Sequence, residues 1–94
     1  MKTEKVVENF CMAMTDKLNA NTDKVGWQAT SIQELFCMLL NEVDELAKAI
    51  ETGGYDGYIP DEAVDVANFA MMIFDNVVND RDNTPMIFPQ VSFL

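Results

Sequence analysis

Two short stretches carry carboxylates at a spacing that chemistry can use: Glu42 and Glu45 in Asn41-Glu42-Val43-Asp44-Glu45-Leu46, and Glu62 and Asp65 in Asp61-Glu62-Ala63-Val64-Asp65-Val66. On an α-helix, residues i and i+3 share a face about 4.5 Å apart along the axis, so each pair forms an acidic ridge. Two such helices side by side bring four carboxylates into one cleft. Like charges that close repel, and the repulsion is relieved by raising some pKa values or by a cation between them. A hard, oxygen-loving divalent ion, Mg²⁺ with Mn²⁺ as a substitute, is the fitting partner. A single Glu-x-x-Glu pair is ordinarily a solvated helix face. Two pairs on consecutive helices, each at the rim of an apolar arc, point instead to a site.

The rest of the composition narrows the chemistry. Histidine is absent, which removes imidazole general-base catalysis, the usual His-containing zinc sites and the Glu-x-x-His di-iron bundle. The formal net charge is −10, and no basic residue occurs between Lys48 and Arg81, whereas that interval holds Glu51, Asp56, Asp61, Glu62, Asp65, Asp75 and Asp80. Nucleic-acid affinity comes largely from Lys and Arg neutralising phosphates, so no nucleic-acid partner is expected. An anionic small ligand fits only if metal ions bridge it to the carboxylates. Cys11 and Cys37 fall inside predicted helices and read as reduced core thiols of a cytosolic protein. Lys2, Glu4, Lys5 and Glu8 argue against a secretory leader, and the most apolar stretch, residues 63–74, is interrupted by Asp65 and Asn68 and too short for a bilayer. The expectation is a cytoplasmic protein without a membrane partner.

The positioning elements follow from periodicity and cap chemistry. The 94 residues read as a single all-α domain, 1–94. Thr3 is a cap for a first helix to about Leu18, with Val6, Val7, Phe10, Met14 and Leu18 as its buried stripe. Turn chemistry from Asn19 to Gly26 ends it, with Trp27 in the same loop. A second helix opens at Thr30 or Ser31, with Gln33 or Glu34 completing a capping box, and runs to about Thr52 before Gly53-Gly54. Ile32, Leu35, Phe36, Leu39, Val43, Leu46 and Ile50 share its apolar arc, with Glu42 at the margin and Glu45 just beyond. Pro60 suits the first position of a third helix reaching about Asn79, apolar over most of its circumference through Val64, Val66, Ala67, Ala70, Met71, Ile73, Phe74, Val77 and Val78. Asn83-Thr84-Pro85 and Pro89 predict an extended tail over 83–94. A core this small and a third helix this apolar lead to a three-helix chain completed as a four-helix bundle by a second subunit.

The two motifs in context resemble a known signature. Glu42-x-x-Glu45, sixteen intervening residues and Glu62-x-x-Asp65 are similar to the paired acidic motif of the MazG-like, all-α nucleoside triphosphate pyrophosphohydrolases. Lys24-Val25-Gly26-Trp27 and the run from Asp65 to Ile73 look most like short phage and bacterial members described as dATP/dGTP pyrophosphohydrolases. The resemblance extends over roughly residues 10–79. It implies Mg²⁺-dependent hydrolysis of a nucleoside triphosphate between the α- and β-phosphates, giving a monophosphate and pyrophosphate. By position, Glu42, Glu45, Glu62 and Asp65 would be the metal ligands. Phosphoryl transfer depends on positioning and charge neutralisation more than on covalent help, which suits an all-carboxylate set. Glu45, with Glu42 beside it, is the candidate to orient or deprotonate the water.

Candidate substrate contacts are Asn68, which continues the ridge from Asp65; Lys24, Lys48 and Arg81, the bases nearest the motifs; and Trp27, able to stack on a base. Each has an ordinary structural role as its competitor: a satisfied amide, a solubilising charge, a core plug. Many relatives carry a fourth helix where this chain has a Pro-containing tail, so assembly as a homodimer or homotetramer is expected. The alternative to an enzyme is a non-catalytic acidic helical interaction protein, or a metal- or nucleotide-binding module of the same fold.

Overall fold

The computed structural model describes residues 2–21 and 26–81. They form three long helices, α1 (Thr3–Ala20), α2 (Ile32–Glu51) and α3 (Ile59–Val78), with a 3-10 turn over Trp27–Ala29 leading into α2. No strand occurs among the described residues, so the chain is all-α as its periodicity predicts. The expected extended tail over 83–94 and Lys24 lie outside the described residues.

Local chemistry sets the ends of α2. The Ser31 hydroxyl accepts the Glu34 backbone N–H at 3.1 Å, one half of a capping box, and Ser31 rather than Thr30 is the cap. At the other end Gly54 N–H donates to Ala49 C=O at 2.7 Å and Gly53 N–H to Ile50 C=O at 3.1 Å. These are the two bonds of a Schellman motif, and Gly53 with φ +67° supplies the left-handed step it requires. Pro60 falls in the first turn of α3, one residue after the helix opens at Ile59.

The first helix departs from expectation at both ends. Lys2, not Thr3, occupies the N-cap position and provides no side-chain bond. Asn19 does not stop the helix; the Asn21 amide does, by donating to the Lys17 carbonyl at 3.0 Å and satisfying a C-terminal acceptor.

Contacts between elements give the topology. The α2 N-terminus meets the α3 C-terminus through Asn76 Nδ2, which donates to the carbonyls of Trp27 (3.0 Å) and Thr30 (3.2 Å). At the other end of the hairpin Gly57 lies against Ala49. Thus α2 and α3 are antiparallel, the outcome a short connection favours. Met14 C=O accepts from Asn68 Nδ2 (3.4 Å) while Lys17 reaches back to Asp61 and Asp65, so α1 is also antiparallel to α3.

The centre is α3, and its buried stripe coincides with the predicted apolar face at Val64 but also takes in the amides Asn68 and Asn76. Val64, Asn68, Met72 and Asn76, four residues apart, are buried, with Leu35 and Ala49 of α2 against them. Phe74, Val77 and Val78, on the predicted apolar face, are 66%, 57% and 58% exposed. Asn76 is fully buried because its amide pairs two backbone carbonyls and its Oδ1 accepts from Arg81 Nη1 (3.0 Å), so burying it leaves no orphan group. The apolar stripe of α1 is likewise only partly covered: Met14 and Leu18 are half-buried, but Val6, Val7 and Phe10 are exposed. Both Cys11 and Cys37 are exposed free thiols, which corrects their reading as core residues.

Candidate functional site

The line of α2 that faces α3 runs through Leu35, Glu42 and Ala49, spaced by sevens and therefore nearly superposed along the helix. Leu35 and Ala49 are 1% and 0% exposed. That spacing carries Glu42, half-buried between them, into the α2–α3 seam. Val43 and Ile50, expected in the same arc, face outward at 43% and 58% exposure. The arc is therefore rotated toward Glu42.

On α3, Glu62 and Asp65 sit one turn apart beside buried Val64. Glu42, Glu62 and Asp65, each half-buried, bring one carboxylate oxygen apiece within 4.8 Å of one another. Three of the four expected ligands therefore converge across the hairpin. Glu45 is exposed and stands outside this triad, one turn along α2. Gly57 closes the end of the hairpin against it: a Cβ there would lie 3.4 Å from both Glu62 Oε1 and Ala49 Cβ. Its φ of +150° also disfavours a side chain.

A cation from α1 touches the triad at Asp65. Lys17 Nζ lies 2.7 Å from Asp61 Oδ2 and 2.9 Å from Asp65 Oδ1, and it donates to Asp61 C=O at 3.4 Å. Burial works to lower the pKa of this ammonium, but the hydrogen bonds and charges of Asp61 and Asp65 outweigh it, leaving it above the ordinary lysine value. Lys17 was not among the sequence candidates. Nothing in its local sequence marks it, because its role depends on how α1 docks.

The predicted substrate contacts divide. Asn68 is 4% exposed, its Nδ2 donates to Met14 C=O, and its Oδ1 is buried with no hydrogen-bond partner among the described residues. Lys48 pairs with Asp44 of its own helix at 3.1 Å and is exposed. Trp27 and Arg81 both turn to Asp75 at the far end of α3: the indole Nε1 donates to Asp75 Oδ2 at 2.9 Å and Arg81 Nη1 donates to the same oxygen. Asn79 Nδ2 donates to Asp75 Oδ1 at 2.9 Å. The Arg81 bond, then the Trp27 bond, hold the Asp75 pKa below its usual range. These two residues form a clasp between the 3-10 turn and the C-terminal end of α3, and the three clustered carboxylates lie toward the other end of that helix, so neither residue joins the triad.

Beside Lys17 and Asp61 a groove of about 450 Å³ opens between α1 and α3, with Ala13, Val64 and Pro60 among its apolar lining and Asp16 and Tyr58 also on its wall. No described helix is long and apolar enough to cross a membrane. Three half-buried carboxylates from two helices are a donor set suited to a hard divalent cation, and the orphaned Asn68 oxygen, one turn beyond Asp65, adds a further unsatisfied acceptor in the same stripe of α3. The residues present therefore fit Mg²⁺ or Mn²⁺. Comparison with protein-family models, curated proteins and solved structures finds no match for the chain.

Proposed function

We propose that the chain is a MazG-like nucleoside triphosphate pyrophosphohydrolase of the cytoplasm, converting a nucleoside triphosphate to its monophosphate and pyrophosphate. The observation that carries this reading is the meeting of Glu42, Glu62 and Asp65 across the α2–α3 seam. Such a triad would hold Mg²⁺, or Mn²⁺ in its place, and the bound ion would supply positive charge to neutralise a polyphosphate that an otherwise acidic protein repels. Glu45, exposed on the next turn of α2, is the carboxylate left to orient or deprotonate the attacking water. Asn68, one turn beyond Asp65, and the α1–α3 groove beside Lys17 and Asp61 are the candidate seats for the nucleoside portion.

The same reading includes self-association. Phe74, Val77 and Val78 on α3 and Leu40, Val43 and Ile50 on α2 are exposed large hydrophobic side chains. A homodimer or homotetramer would cover them and complete a four-helix bundle. That outer face also favours a second reading, a non-catalytic helical interaction module.

Two measurements separate them. Mg²⁺ or Mn²⁺ titrated against thermal stability, with and without a nonhydrolysable triphosphate, tests for the ion site; a panel of nucleoside triphosphates assayed for released pyrophosphate tests for turnover. Stabilisation by ion plus analogue together with pyrophosphate release is expected. Indifference to both supports the interaction module.

A further inference from the structure

We propose that Lys17 is a positioning residue of the candidate metal site, holding Asp65 in register with Glu42 and Glu62. The proposal rests on the triad reading above and concerns what keeps the triad assembled. Asp65 is the shared member: one carboxylate belongs both to the three-oxygen cluster and to the Lys17 bridge, where Oδ1 takes the ammonium at 2.9 Å. A carboxylate has two oxygens with about four lone-pair positions, so one lysine contact leaves it able to ligate. Side chains that ligate metals are ordinarily fixed by a second hydrogen bond, and that partner tunes affinity.

Charge accounting explains why a lysine beside a metal site need not defeat it. Lys17 lies 2.7 Å from Asp61 Oδ2, and Asp61 is not a member of the triad. The Lys17–Asp61 pair is neutral in sum. Asp65 thus receives the orienting hydrogen bond while the lysine charge is matched by a carboxylate outside the triad. The third contact, to the Asp61 carbonyl, anchors the ammonium at the first turn of α3, so its position follows the helix that carries Glu62 and Asp65. The consequence is a link between docking of α1 and the geometry of a site that α1 does not otherwise build.

The test is Mn²⁺ binding to the full chain by titration calorimetry, with far-UV circular dichroism and thermal midpoint recorded on the same samples. Lys17→Met is expected to weaken Mn²⁺ binding by about 10- to 100-fold, the range for losing an orienting partner of a metal ligand. Lys17→Arg, which retains a cationic donor, is expected to return affinity close to that of the original protein. Lys17→Gln, which keeps the groove polar, serves if Lys17→Met does not fold, and it too is expected to bind Mn²⁺ more weakly. A lowered thermal midpoint with unchanged Kd in a folded variant would make Lys17 a helix staple only and overturn the proposal. Tighter binding in Lys17→Met would overturn it as well, since the lysine would then be a competing counter-ion. If the original protein itself binds no Mn²⁺, the triad reading fails first and this inference falls with it, an outcome distinct from the other two.

Discussion

The two ends of α3 use the same kinds of side chain to opposite effect. At its C-terminal end a single carboxylate, Asp75, receives the Trp27 indole, the Arg81 guanidinium and the Asn79 amide. At its N-terminal end Glu62 and Asp65, with Glu42 across the seam and Asp61 alongside, meet one lysine. At one end several donors converge on a single carboxylate, and at the other several carboxylates converge beside a lysine. A carboxylate held by three side-chain donors acts as a structural clasp. A gathering of like charges favours a cation, and that crowding, more than the identity of any one residue, separates a candidate site from a brace.

The contrast can be broken at either end. The largest effect is expected from Glu62→Gln: pyrophosphate release should fall about a hundredfold or more, as when an electrostatic group serving the transition state is removed, with the helical spectrum retained. Wild-type turnover in this variant would remove the triad from the chemistry. Next comes the clasp. Asn76→Leu strips partners from the carbonyls of Trp27 and Thr30 at a fully buried position, so unfolding by urea should show a loss of about 2–3 kcal/mol. Its Mn²⁺ affinity should stay near that of the parent, since the triad lies at the other end of the helix.

Titration sharpens the comparison further, with opposite signs at the two ends. The folded-state pKa of Asp75 is depressed, so the stability it contributes is present above the ordinary aspartate value and is lost as pH falls through the lower, folded value. Asp75→Asn should therefore lower the urea midpoint near neutrality and flatten its dependence on pH in acid. The Lys17 pKa is raised, so its contribution is present below the ordinary lysine value and is lost as pH rises through the higher, folded one. Lys17→Met should flatten the alkaline limb. The smallest effect is expected in the metal-free protein. Glu62→Gln should raise its stability by about 0.5 kcal/mol through relief of like-charge crowding, whereas neutralising Asp75 should lower stability. The same sign at both ends would erase the distinction.

What was legible in the chain was what local rules decide. Ser31 before Glu34 and Gly53-Gly54 after Glu51 mark the ends of α2, because caps and left-handed turns are settled within a few residues. The i, i+3 carboxylates mark two ridges for the same reason. Less legible was the fate of each ridge. Glu42 enters the seam but Glu45, one turn on, stays exposed, since the apolar arc of α2 is broad enough to be buried along more than one line. The place of Trp27 and Arg81 was hidden for a related reason: both are good ligand-binding residue types, and their meeting at Asp75 depends on how the 3-10 turn docks on α3.

Residue order alone therefore determined three helices, their limits to within a residue or two and the acidic spacing on two of them, since these depend on hydrogen bonds and periodicity inside one helix. Tertiary structure decided which face of each helix turned inward. It buried Asn68 and Asn76 with Val64 and Met72 while Phe74 and Val77 stayed exposed, and it brought Lys17 from α1 to Asp65. Those outcomes hinge on pairing buried amides and charges with partners distant in sequence, an energy that exists only once the helices have docked.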